Sequence, residues 1–193
     1  MARIGFKKAK YNKIDGNAYA KLTDNKVPDF EKVVDEKFAP EYNNAELYAN
    51  DTLVESDNSF KKGVLTLVVA DDNDKLGAEL FGNTIETDGT EVTSNIEDMA
   101  PEFGYGHIIP KRVSGVKKYK VEFFPRIKFT KITNDNKTRG ENIEFATSTL
   151  EATVYPLERA VNGLKIGDWE KHDTFNTLEE AETYLDTLLT PVA

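Results

Sequence analysis

The chain has 193 residues, a net charge of −9 and no cysteine. Its 39% hydrophobic and 31% charged residues leave enough apolar surface for one all-β core, while the lack of cysteine excludes disulfides and thiolate zinc sites, so stability has to come from packing or association. Met1-Ala2-Arg3 leads into a short basic segment without the apolar run of a signal peptide, and no window is apolar enough to span a bilayer, so the expected place of synthesis is a cytoplasm.

The charge comes in blocks of alternating sign: +5 over residues 1–28, −14 over 29–102, +8 over 111–139 and −8 over 140–193. Alternation on this scale cannot serve one polyanion along its length, because the acidic blocks would repel it. It suits solvated faces or complementary faces of identical copies.

Residues 1 to about 15 read as an N-terminal arm. In "AELYANDTLVESDNSFKKGVLTL", residues 45–67, apolar residues alternate with polar ones, an acidic and amide-rich run interrupts them, and a nearly continuous apolar strand begins at Gly63. The interruption reads as a loop or extended hairpin outside the folding core, carrying Asn50, Asp51, Thr52, Glu55, Ser56, Asp57, Asn58, Ser59, Lys61 and Lys62. "DDNDKLGAELFG" places Leu76, Leu80 and Phe81 on one side of a helix after an acidic first turn, with Gly82 as its stop.

In "KKYKVEFFPRIKF" the residues Tyr119, Val121, Phe123, Ile127 and Phe129 alternate with Lys118, Lys120, Glu122, Arg126 and Lys128, which predicts a strand with one buried face and one wet face. Pro125 marks an edge or a bulge. "VSG" before it reads as a hairpin turn whose partner strand is "GYGHIIPKR". A long polar hairpin loop follows, with Asn134, Asp135, Asn136, Lys137 and Arg139, and leads into "IEFATSTLEATVY", where the apolar parity changes and predicts a bulge near Thr147 to Thr149. Thr177 and Glu180 have the spacing of a capping box, and Leu178, Ala181, Leu185 and Leu188 continue a helix over about 177–189 until Pro191. The sum is a single mainly β domain, a sandwich or barrel with a flanking helix and a C-terminal helix.

Catalytic chemistry finds little support. His107 and His172 have no motif around them, Asp71, Asp72 and Asp74 lack the glycine and distal glutamate of a calcium loop, and no Lys-Ser or Lys-Thr follows Gly104 and Gly106 to make a phosphate loop. Asp29 and Glu31 in "PDFEK" are too close in sequence for the acidic pair of a metal-dependent nuclease. The expectation is a protein without enzymatic activity, metal or cofactor.

The stretch "ELYANDTLVESDNSFKKGVLTL", followed by an acidic helix ending "LFGN", resembles the major tail proteins of long-tailed bacteriophages of Gram-positive hosts. Arg3 to Phe6 resembles the "RIGF"-like opening of that family, and Gly104 to Gly106 its "GYG"-like turn before an aromatic strand; the likeness runs in order over roughly residues 1–160. It implies a tail tube subunit that stacks as rings, with a hexamer as the expected ring, in the virion tail of a phage assembled in the bacterial cytoplasm. Its implied partners are itself and the tape measure, tail terminator and baseplate proteins, with DNA passing through the lumen but no sequence-specific nucleic-acid binding and no membrane. The stretch from Asn50 to Lys62 would then be an inter-ring assembly loop. The main alternative is a monomeric β-sandwich binding a carbohydrate or other ligand through Tyr11, Tyr19, Tyr42, Tyr48 or Trp169, and a third is a metal-dependent hydrolase centred on Asp29 and Glu31.

Overall fold

In the computed structural model, one large antiparallel sheet, two small hairpins and two helices account for the fold, which is mainly β and sandwich-like. The structure describes residues 2–3, 5–22, 24, 26–30, 32–70, 74–86, 91–134 and 147–192. In chain order the elements are β1 (Ala2–Arg3), β2 (Lys8–Asp15), β3 (Ala18–Tyr19), β4 (Val33–Tyr42), β5 (Ala45–Ala49), β6 (Thr52–Asp57), β7 (Phe60–Val69), α1 (Asp74–Phe81), β8 (Thr84–Ile85), β9 (Val92–Thr93), β10 (Glu102–Val113), β11 (Val116–Asn134), β12 (Ser148–Val154), β13 (Lys171–Phe175) and α2 (Leu178–Leu189).

The main sheet runs β3-β2-β10-β11-β12-β7-β4, with β1 beside β2 on one edge of β10 and β13 beside β12 on the far edge of β11. Its two ends are joined by a short piece of chain. The Tyr11 amide donates to the Pro28 carbonyl at 3.2 Å and the Phe30 amide to the Ala9 carbonyl at 2.8 Å, so residues 28–30 lie along β2, and β4 starts three residues later against β7 at the other end. The sheet therefore rolls around an interior filled by Tyr11, Phe30, Leu65, Leu67, Phe103, Tyr105, Phe124, Ile127 and Phe129. Each such side chain contributes about 1.5–3 kcal/mol by leaving water. α1 closes one end of this interior: Leu80 is fully buried in it, Leu76 and Phe81 pack against it, and Gly82 (φ +75°) ends the helix.

α2 covers the outer face of the sheet, setting Ala181, Leu185 and Leu189 over Ile108, Val121 and Phe123. Its start is the predicted capping box: the Glu180 amide donates to Thr177 Oγ1, and the Glu180 carboxylate accepts from the Thr177 amide. Glycine lets the packing close. A Cβ on Gly104 would lie 2.5 Å from the Tyr19 ring and one on Gly106 2.4 Å from Leu185 Cδ1. Gly104 to Gly106, read from sequence as a turn, is thus the interior of β10.

β11 has two bulges. Pro125 and Arg126 together oppose Gly104, because Tyr105 pairs with Phe124 and Phe103 with Ile127; further on, Thr130 is the extra residue between Phe129 and Lys131. The first bulge exchanges the two faces of the strand, so the odd-numbered Val121 and Phe123 face α2 whereas Ile127 and Phe129 face the rolled interior.

Several expectations are corrected by this arrangement. The wet face of β11 does not exist along its middle, since Glu122 is buried and Arg126 and Lys120 are largely covered. β12 pairs with β7 without any shift over Ser148–Val154, and the bulge expected near Thr147 to Thr149 lies instead on the neighbouring strand at Thr130; Ile143 and Phe145, whose parity suggested it, fall outside the described residues. The expected N-terminal arm is instead part of the sheet: β1 pairs with β10, and β2, with Ala9, Lys10, Tyr11 and Asn12 buried, is an internal strand. Asn134 ends β11, while Asp135, Asn136, Lys137 and Arg139 of the expected polar loop lie outside the described residues.

Candidate functional site

Two features stand apart from the packing of the core. The first is a projecting hairpin. The ladder between β4 and β7 ends at Tyr42 and Phe60, where the Asn43 amide donates to the Ser59 carbonyl at 2.8 Å, and beyond that point the chain leaves the main sheet and pairs only with itself as β5 and β6. The tip is Asn50 (φ 51°) and Asp51 (φ 59°), two adjacent left-handed residues joining Ala49 to Thr52, the geometry of a type I′ turn. Asparagine and aspartate tolerate that conformation better than other side chains.

Thr52, Glu55, Ser56 and Asp57 lie on β6, exposed, and Asn58 and Ser59 return the chain to β7. The Ser59 amide donates to Asp57 Oδ1 at 2.8 Å, which holds the Asp57 carboxyl below its usual range. Lys61 and Lys62, assigned from sequence to the loop, are instead strand residues of the main sheet, Lys62 Nζ lying 3.7 Å from Glu41 Oε2. The polar composition of the loop conceals an apolar set: Leu47, Tyr48, Leu53 and Val54 each have about half or more of their surface exposed, and a bulge at Val54 puts Tyr48 opposite Leu53.

The second feature is a buried charge cluster at the seam between β4 and β10. His107 is 2% exposed; its Nδ1 lies 3.0 Å from Glu36 Oε1 and its Nε2 3.3 Å from Glu122 Oε2. The Nδ1 contact has ion-pair distance without the angle of a hydrogen bond. Tyr105 donates its hydroxyl to Glu36 Oε2 at 2.7 Å, Lys120 Nζ lies 2.5 Å from Glu122 Oε1, and the Phe6 ring stacks on the imidazole at 5.7 Å. A cleft of about 440 Å³ opens beside the cluster, lined by Phe6, Glu36, Phe38, His107, Lys120 and Glu122.

Burial alone would lower the His107 pKa, but hydrogen bonding and the charges of Glu122 and Glu36 outweigh it and raise it to about 9. Burial would likewise raise Glu122, and the bonds and charges of His107 and Lys120 bring it down to about 2. With a carboxylate beside each ring nitrogen, bonded at Nε2 and at ion-pair distance from Nδ1, the imidazolium is the favoured form at neutral pH. That arrangement suits neither a general base nor a metal ligand, both of which need a free nitrogen lone pair. It is a charge-balanced clamp tying β10 and β11 to β4.

His107 and His172 both pair with Glu122, from β10 and from β13, so the two histidines flank one carboxylate across three strands. Sequence reading set both aside. The alignment was nonetheless available, because a two-residue turn at Ser114-Gly115 places Glu122 directly opposite His107; only Glu36, far away in sequence, was beyond reach.

The other candidates do not assemble. Asp29 Oδ1 and Oδ2 lie 3.7–4.0 Å from Lys8, Lys10 and Lys26, a cationic setting opposed to a metal, and Glu31 is outside the described residues. Among the described residues, no group of three His, Cys, Asp or Glu could hold a metal ion. Tyr11 and Tyr19 are core residues, Trp169 stacks flat on Phe60 at 3.9 Å, and Tyr42 and Tyr48 are exposed, so the five aromatics share no common face. No described helix is long and apolar enough to cross a membrane. Neither a family model nor a curated protein sequence matches the chain.

Proposed function

We propose that the protein is a structural subunit that polymerises into a phage tail tube, with stacked rings of this chain enclosing the path of the DNA. The observation that carries the reading is the β5–β6 hairpin. A lone two-stranded hairpin is marginally stable in water, and this one holds Leu47, Tyr48, Leu53 and Val54 in solvent with no cover among the described residues. Such a device gains from a partner surface that buries it.

The resemblance of the stretch around it to the tail proteins supplies the kind of assembly. The edge of β4, ten residues long and without a second ladder among the described residues, offers a strand for pairing between subunits, blunted against indiscriminate pairing by Pro40 and by Asp35, Lys37 and Glu41. The acidic block over 29–102 suits a wall past which DNA slides, because neutralised phosphates would hold it in place. Within a virion the tape measure, tail terminator and baseplate proteins would contact such a tube. On this reading the chain has no catalytic role.

Sedimentation velocity over a range of concentrations and salt levels, with negative-stain imaging of the same samples, tests the reading. Rings or tubes are expected, and their yield should fall in the variant Leu47→Ser/Val54→Ser while its thermal unfolding is unchanged. A wild-type protein that stays monomeric under every condition would refute it.

A further inference from the structure

The two ends of the rolled sheet differ in charge, and the basic end has a feature that a monomer does not explain. At the tip of the β10–β11 hairpin, Lys111 pairs with Lys118 and Arg112 with Lys117, so like charges stand directly opposite each other on both faces, and β1 brings Arg3 into register with Lys111. Directly opposed like charges weaken a ladder. Among the described residues Lys111, Arg112 and Lys118 have no carboxylate within ion-pair distance; Lys117 lies 5.4 Å above the Tyr119 ring. Val116, at the very tip, is exposed.

Strand directions put the complement at the opposite end. β11 runs from the tip at Val116 to Asn134, where β12 begins at Ser148 and β7 finishes at Val69. β7 leads there into α1, and the chain returns to the sheet through residues 83–101, which enter β10 at Glu102. That return segment contains Glu86, Asp88, Glu91, Glu97 and Asp98 and not one lysine or arginine. It also holds Ile96 and Met99, exposed by 100% and 78%. Twelve residue steps along β11, from Val116 to Lys128 opposite Glu102, separate the tip from the point where this segment enters the sheet, roughly 40 Å of extended chain, so one molecule cannot bring them together.

We infer that the β10–β11 tip of one copy docks on residues 83–86 and 91–101 of the next copy, Lys111, Arg112, Lys117 and Lys118 meeting Glu86, Glu91, Glu97 and Asp98, with Val116 against Ile96 and Met99. The inference rests on the assembly reading above and gives it a polarity: the contact is head-to-tail, which closes into a ring or repeats as an open stack according to its rotation, and a contact between opposite ends of the rolled sheet runs along the stack. Neutralised charge pairs that are held apart in the monomer explain why the like-charged tip is tolerated.

Three variants test the polarity: Lys117→Glu/Lys118→Glu, Glu91→Lys/Glu97→Lys, and the chain carrying all four changes. All four side chains are solvent-accessible, and circular dichroism with thermal unfolding checks that each variant folds. Either pair alone should raise the concentration needed for assembly at least tenfold, whereas the fourfold variant, with two of four signs exchanged on each surface, should recover at least part of that loss and assemble at a lower concentration than either pair. The wild-type threshold should rise with salt as charges are screened. If the tip variant assembles like wild type, or the folded fourfold variant does not recover, the inference falls while the tube reading stands. Should the tip variant lose binding to duplex DNA with its assembly unchanged, the tip serves nucleic acid and the inference is wrong. A wild-type protein that never associates removes both.

Discussion

His107 Nδ1 lies 3.0 Å from Glu36 Oε1, and this contact links β10 to β4, two strands that share no backbone ladder. Glu122 holds the other side of the same ring. The cluster is therefore a cross-sheet tie whose strength depends on proton occupancy, and its pH dependence follows from the two shifts. His107 binds its proton more tightly folded than unfolded, so its contribution is complete below pH 6.5 and is lost as pH rises through about 9. Glu122 is more acidic folded than unfolded, so its contribution is complete above pH 4.5 and is lost as pH falls through about 2. Thermal unfolding followed from pH 3 to 10 should show this part of the stability greatest between about pH 4.5 and 6.5, with a change on the order of 3 kcal/mol across the alkaline limb. In His107→Gln the alkaline limb should flatten, and at pH 6 the variant should be less stable by about 3–5 kcal/mol, because the buried Glu36 then loses the His107 cation and Glu122 loses one of its two. An alkaline limb equally steep in the variant would assign it to other groups.

Excision of the β5–β6 hairpin separates folding from assembly. Replacing residues 45–57 with a short Gly-Ser turn removes side chains that are nearly all exposed, and shortening a loop changes closure entropy little, so stability should change by about 1 kcal/mol or less. Denaturant unfolding should remain one cooperative transition, and imaging should find no tubes. Loss of cooperative folding would place the hairpin in the core.

Gly104→Ala should cost about 1–3 kcal/mol, because the new Cβ would press on a Tyr19 ring whose hydroxyl donates to the buried Pro125 carbonyl at 3.0 Å. In a Tyr19→Ala background the same change should cost far less, since the crowding atom is gone. A double-mutant cycle from denaturant melts measures the difference; strict additivity would mean that the clash is elsewhere.

Thr177→Ala should lower stability by about 0.5–2 kcal/mol, the usual loss when a capping side chain is removed. Thr177→Ser should restore most of it, and chemical denaturation of the three proteins side by side decides the point. Equal midpoints for all three would show that the packing of Ala181, Leu185 and Leu189 alone sets the stability of α2.

What could be read in the sequence was local. The capping box of α2, the Ser114-Gly115 hairpin, the stop at Gly82 and the bulge at Pro125 each depend on a few adjacent residues, and each is where the pattern put it. Depth was misjudged wherever two distant segments cover one strand: α2 and β4, far from β11 in sequence, bury both of its faces, and alternation of polar residues along β11 said nothing about that. Glu122 looked like a surface carboxylate because one of its two cations, His107, comes from β10. The hairpin was judged by its acids and amides, and its exposed Leu47, Tyr48, Leu53 and Val54 passed as ordinary strand residues.

The paired bulges of β11 have an evolutionary consequence. Even-numbered residues face the interior before Pro125, odd-numbered ones between the bulges, and even-numbered ones again beyond Thr130, where Ile132 pairs with the interior Leu150. Each bulge is one residue more than the ladder needs. A single-residue deletion at Arg126 or at Thr130 leaves every other residue on its own face, removing a local bend and, at Arg126, the bonds of its guanidinium to Glu102 and the Pro156 carbonyl. Deleting Lys128 makes Ile127 and Phe129 neighbours, and two adjacent strand residues cannot both point inward. Relatives of this chain should therefore gain or lose length in β11 at those two points and keep the three residues between Arg126 and Thr130 free of insertions and deletions.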